Sequence, residues 1–192
     1  MSVGQLPRSV DINGRSYRIY TDYRDILNVL AAYDDPDLTA EEKVYVCLRV
    51  MYPDIDSMPP KDHEDAYKKA VWFIDGGGEV GDEAARARKA TRRVVDWEQD
   101  ERLIFAAVNR VAGREVRNLR YLHWWTFLGY FSEISDGAYA EVLRLRVKKS
   151  RGKPLEKHEQ EFWVANREVC QLRSRLSAEE KEERDRINAI LG

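Results

Sequence analysis

The sequence predicts a mainly α protein: a single helical domain over residues 1–176 with a small N-terminal β-hairpin, then a charged C-terminal helical arm over 177–192. Three observations predict it. Apolar side chains recur at i, i+3, i+4 and i+7 through most of the chain. An Asn-Gly pair separates two short alternating stretches near the N-terminus. The stretch Leu119 to Ile134, LRYLHWWTFLGYFSEI, is apolar nearly all round, as suits a helix inside a domain or against a partner.

That stretch organises the rest. At helical spacing Tyr121, Trp124, Trp125, Leu128 and Phe131 share a face, and Leu122, Phe127 and Tyr130 widen it. Aromatic side chains bury roughly 150–250 Å² each, so no other segment offers comparable burial. Tyr121, Trp124, Trp125, Phe127, Leu128 and Phe131 are therefore the candidate core or partner-binding residues. Trp and Tyr anchor interfaces as well as interiors, and both readings stand at this point.

The remaining elements follow in order. Residues 9–20 form the hairpin, turning at Asn13-Gly14; Val10, Ile12, Tyr17 and Ile19 alternate along it as a candidate edge for strand addition. Thr21 or Asp22 caps a helix from Tyr23 to Ala32 with Tyr23, Ile26, Leu27 and Leu30 as its stripe. Thr39 and Glu42 make a capping box for a helix carrying Val44, Cys47, Leu48 and Met51, halted by Pro53. A third helix runs from about Lys61 to Ile74, with Ala66, Ala70, Phe73 and Ile74 inward. Gly76-Gly77-Gly78 ends it and opens a connector to Asp82; residues 83–93 continue as a basic helical stretch. Asp96 to Ala112 is amphipathic and stops at Gly113, and Glu98, Asp100 and Glu101 read as its wet face. After the aromatic segment come a short helix from Tyr139 to Val147, a long one from Leu155 to Leu176, and an arm opened by the Ser177–Glu180 capping box and ending on Ile187, Ile190 and Leu191.

Composition excludes several classes of function. Lys and Arg total 32 against 34 Asp and Glu, so no whole-molecule attraction to nucleic acid or anionic membrane is expected. No apolar run approaches the ~18 residues of a membrane span, and the N-terminus lacks a signal-peptide core. Cys47 and Cys170 lie in helical apolar patterns and read as inert core thiols. His63, His123 and His158 have no partner at metal-ligand spacing, and the glycines at 76–78 lack the Lys and hydroxyl of a phosphate loop. No nucleophile elbow and no isolated carboxylate pair is present, so no catalytic residue, cofactor or metal is assigned. The strongest local charge is the run Arg144, Arg146, Lys148, Lys149, Arg151 and Lys153. Without interleaved aromatics, and with acids following in EKHEQE, it reads as a solvated or ion-paired face rather than a nucleic-acid site.

Several of these blocks, in this order, resemble a tailed-phage family named after gene product fifteen. The opening LPRSVDINGRSYRIYTDYR is similar to its hairpin and its Ile-x-Thr-Asp-aromatic-Arg signature, here Ile19 to Arg24. LTAEEK, YPDI and WFIDGGGE follow, and the best match runs from DWEQDERLIFAAVNRVAG to YLHWWTFLGYF. The last thirty residues carry none of its motifs. The resemblance implies a non-enzymatic tail-assembly chaperone acting in the host bacterial cytoplasm. It would bind the hydrophobic tape-measure protein, with the tail-tube protein as a second partner, and form a homo-oligomer. A permanent virion subunit, such as a tail-completion or connector protein, is the alternative; a nucleic-acid-binding phage factor using the Arg144–Lys153 run is a more distant one.

Overall fold

The computed structural model describes residues 4–78 and 94–191; the side chains at 184 and 187–191 are not described. Most of the expected connector and the basic stretch 83–93 thus lie outside the described residues, and at the apolar end of the arm only the backbone is described. Within them the chain is mainly helical with one two-stranded antiparallel hairpin. In order, the elements are β1 (Ser9–Ile12), β2 (Arg15–Arg18), α1 (Tyr23–Asp34), α2 (Ala40–Met51), α3 (His63–Ile74), α4 (Glu101–Ala112), α5 (Trp124–Ser132), α6 (Gly137–Ser150), α7 (Lys157–Ala165), α8 (Arg167–Cys170) and α9 (Ala178–Leu191).

Local chemistry accounts for most boundaries. The hairpin turns where Asn13 (φ 50°) and Gly14 (φ 79°) both take the left-handed conformation that a two-residue turn demands. The register sets Val10 opposite Tyr17 and Ile12 opposite Arg15. A two-stranded hairpin is marginal alone, and this one leans on the start of α3. There Asp62 accepts from Tyr17 Oη at 3.0 Å and from Asn13 Nδ2 at 2.9 Å. Asp22 caps α1, and the Thr39–Glu42 box caps α2 with both reciprocal bonds made. Gly113 (φ 67°) closes α4.

α1 packs on α2, α2 on α3, and α4 on both α5 and α6. Stacked rings join these layers: Tyr23 lies on Phe127 with centroids 4.7 Å apart, and Phe127 on Trp124 at 5.7 Å. Trp97 closes the stack beside Phe131 at 4.9 Å. Cys47 and Cys170 are free and buried, and burial pushes the Cys47 thiol up to about 11.

Three elements differ from their sequence patterns, each for a tertiary reason. α4 begins at Glu101 rather than Asp96, because Asp96 Oδ1 accepts from the Glu98 and Gln99 N–H groups and forms a turn. α5 covers nine residues, since Leu119 to His123 run outside it and pair with the entry to α1. The helix expected over 155–176 breaks at Asn166 into α7 and the single turn α8, followed by an extended strap.

Arg146 accounts for the stop after Cys170. Its guanidinium is buried on α6, bidentate to Asp100 at 2.6 and 2.8 Å. The remaining bonds go to the carbonyls of Val94 (2.9 Å), Val169 (2.6 Å) and Cys170 (2.9 Å). The carbonyls at the end of α8 therefore bond a side chain instead of continuing a helix. Beyond them Gln99 bonds the backbone of Glu168, Gln171 and Arg173, and Arg175 reaches Asp96 at 2.8 Å. Burial raises the Asp96 carboxyl, but the Arg175 bond and the two turn N–H groups outweigh it and leave its pKa lowered.

Removing one partner of a buried, fully bonded pair strands the other charge, at a cost of about 3–5 kcal/mol. Asp100→Ala should accordingly lower unfolding stability by that order in denaturant titrations. Asp100→Leu combined with Arg146→Met should recover part of the loss, because neither charge is then buried unpaired, while the Val94, Val169 and Cys170 carbonyls lose their donor.

Candidate functional site

The two most distinctive stretches of the sequence, Ile19 to Arg24 and Tyr121 to Trp125, meet one another. An antiparallel bridge joins Asp22 to His123, with Tyr23 N–H donating to Leu122 O at 3.0 Å and Trp124 N–H to Thr21 O at 2.8 Å. Every side chain of the Thr-Asp-Tyr-Arg run then has a partner on or near the second stretch. Thr21 Oγ1 shares a hydrogen with Tyr121 Oη at 2.7 Å. Asp22 accepts from the backbone N–H of Arg24 and of Leu122, both at 3.0 Å. Tyr23 supplies the ring on Phe127, and Arg24 donates to the carbonyls of Arg117 (3.0 Å) and Leu119 (2.7 Å).

His123 answers Asp22 from the other side. Its Nδ1 accepts from Trp125 N–H at 3.0 Å, capping α5, while Nε2 lies 2.9 Å from Pro7 O. A carbonyl can only accept, so Nε2 carries the proton and the ring is neutral. The two tryptophans then cap α3. Trp124 Nε1 donates to Ile74 O and Trp125 Nε1 to Phe73 O, both at 2.8 Å, satisfying carbonyls that a helix end leaves open. Gly77 (φ 85°) sits under Trp125, where a Cβ would stand 2.7 Å from the indole.

Of the candidate core or partner-binding residues, Trp124 and Phe127 are buried, Trp125, Leu128 and Phe131 are half-buried against the core, and Tyr121 is 45% exposed. Val10, Ile12, Tyr17 and Ile19 all face the core, so the outer side of the hairpin carries Ser9, Asp11, Ser16 and Arg18. The six cations of the 144–153 run divide. Arg146 is the buried node described above. Arg144 and Lys148 converge on Glu159 at 2.5 and 2.6 Å, and Glu159 is 1% exposed. Its carboxyl is held down at about 2 by the Lys148 bond, the Glu156 N–H and Arg144. Lys149 lies over the Trp163 ring at 4.2 Å, and Arg151 and Lys153 are exposed.

Asp100 and Glu159 are the polar residues whose weight sequence reasoning missed, whereas Asp22 caps α1 as its position suggested and His123 is a buried, hydrogen-bonded imidazole. Asp100 and Glu159 sit among acids on helices of mixed charge, and only the position of their arginine partners marks them as buried. Among the described residues no three His, Cys, Asp or Glu gather as a metal site, and no helix is long and apolar enough to cross a membrane. The hydrogen-bonding capacity of the motif residues goes into backbone and helix ends rather than toward an open cleft.

Two measurements probe this clasp. Gly77→Ala should destabilise by about 1–3 kcal/mol, since the new methyl meets both positive φ and the Trp125 ring. Burial depresses the His123 pKa, with the Pro7 bond opposing that shift and Arg8 adding to it. The neutral-ring stabilisation is therefore present above the unfolded value of about 6.5 and is lost as pH falls through the folded pKa. Between pH 6.5 and 5, above the range where carboxylates titrate, melting temperature should fall in the wild type and stay flat in His123→Asn.

Neither the curated proteins nor the solved structures contain a match to this chain. A family model does match, over residues 3–172, which takes in the hairpin, both motif stretches, the α3 end and the Arg146 node, and stops at the strap. The chain belongs to the family described as Bacteriophage Gp15 protein.

Proposed function

We propose that the protein is a non-enzymatic tail-assembly chaperone that binds the phage tape-measure protein in the host cytoplasm and self-associates while doing so. Family membership supports the phage setting. The observation that carries the reading is how the defining motifs are used: Thr21 to Arg24 and Tyr121 to Trp125 bond one another and the end of α3. What this leaves for other molecules includes exposed Tyr20 and Tyr121 outside the helices, Tyr45 on α2 and Val164 on α7. Exposed aromatic side chains on a preformed scaffold lose little conformational freedom on binding and serve as anchors for an apolar helix. A long apolar protein awaiting its tube is such a partner, and tail-tube subunits would displace the chaperone from it.

Co-expression with the neighbouring tape-measure protein tests this. The tape-measure protein should move from the insoluble to the soluble fraction and co-purify with this chain, and purified phage particles should lack the chain by mass spectrometry. A tape-measure protein that stays insoluble and unbound, or a fixed copy number in mature particles, would sink the reading.

A further inference from the structure

Charged side chains of opposite sign gather at the two ends of α1. At its N-terminal end the loop from α4 to α5 carries Arg114, Arg117 and Arg120, and Arg24 reaches into that loop through the Arg117 and Leu119 carbonyls. Arg8 lies over the Tyr121 ring at 5.8 Å. Arg24 and Arg117 are balanced by Asp22 and Glu115, with Asp25 and Glu101 in electrostatic reach. Arg8, Arg114 and Arg120 pair with no carboxylate among the described residues; Arg8 stands over the exposed Tyr121, and Arg114 and Arg120 precede it in the same loop. Arginine beside exposed tyrosine is the composition of an interface anchor.

The other end is acidic. There the chain leaves α1 through Asp34-Asp35-Pro36-Asp37, and Asp37 accepts from the Ala178 N–H at 2.7 Å, seating the first turn of α9 with Glu179 and Glu180. An open cleft of about 690 Å³ lies between them, lined by Asp35, Asp37, Leu38 and Glu98, with Arg175 and Lys181 as its cations. Arg175 is already held by Asp96 and Glu98.

α1 has 12 residues, so at 1.5 Å per residue about 18 Å separates the two ends, some twice the ~8 Å Debye length at physiological salt. Each end therefore acts as an independent pole, and the helix dipole of α1 adds to both with the same sign. A formal net charge of −2 adds little general repulsion between copies.

We infer that the Arg8–Arg114–Arg120–Tyr121 face of one copy docks on the acidic cleft and α9 first turn of a second copy, giving a head-to-tail array. Such a heterologous contact does not close on itself and extends with the number of copies. Two copies meeting by their arginine faces would repel. The inference rests on the chaperone reading for its purpose, since an open array can follow an extended partner of any length, but its test needs this protein alone.

The test is sedimentation of the purified chain across concentration and salt. Wild type should lengthen with concentration at low salt and return to monomers in half-molar salt. Arg114→Ala with Arg120→Ala removes the basic end, and Glu98→Gln with Glu179→Gln the acidic end, neither creating a new complementary end; all four side chains are exposed, so both variants should melt with wild type. Each variant alone should be monomeric, weakened at least ~tenfold in association. Their equimolar mixture keeps one intact junction and should stop at a dimer. A wild type that stays monomeric, association indifferent to salt, an arginine variant that assembles normally, or a mixture that stays monomeric or grows past a dimer would each overturn the inference. So would a single-stranded oligonucleotide bound by wild type and released by the arginine substitutions while assembly is unchanged. Tape-measure rescue without head-to-tail assembly refutes this inference alone; assembly without rescue refutes the chaperone reading alone.

Discussion

The antiparallel meeting of Asp22 and His123 is the constraint on which the rest of the molecule depends. Each residue caps its own helix and bonds the approaching segment, so α1 and α5 start from one shared point. Neither cap is complete without the other. From that point α5 directs its two indoles at the end of α3 and its Phe127 ring at Tyr23, which places the hairpin, α1, α3 and α4 around a single aromatic stack. Capping side chains contribute about 0.5–2 kcal/mol each. Their larger effect here is geometric, because they fix the angle at which the helices enter the core.

A second node does for the C-terminal half what the first does for the N-terminal half. Arg146 brings together α6, the segment before α4, Asp100 and the end of α8. Charge burial of this kind contributes little net stability when every donor is satisfied, yet it tolerates no substitute geometry. It thereby ties the strap after Cys170 to the body. Glu159 repeats the pattern on a smaller scale, drawing α7 onto α6 through Arg144 and Lys148. The basic run is thus half consumed by the fold, and Arg151 and Lys153 remain exposed at its end.

The division of labour bears on function. The stretches most distinctive in sequence make the scaffold, and the surfaces that vary in charge lie at the ends of α1 and along the strap and arm. A protein built so presents rigid shape and localised charge, which suits gripping other polypeptides.

Read alone, the sequence determined the elements governed by local physics. Asn13-Gly14 dictates a hairpin because both residues tolerate positive φ. Thr39 with Glu42, Ser177 with Glu180 and Gly113 mark helix ends by bonds made within a few residues. The apolar stripes of α2 and α3 follow from period alone. Tertiary structure decided the rest, wherever a backbone or charged group found a distant partner stronger than its local one. Leu119 to His123 has helical spacing but pairs with Thr21 to Tyr23, 100 residues away for Leu122 and Asp22. The expected helix over 155–176 stops at Cys170, where Arg146 takes the Val169 and Cys170 carbonyls. Asp100 leaves the wet face for the same arginine. Periodicity reports which side of a helix is apolar; it carries no information on which buried charge waits in the space that the side will fill.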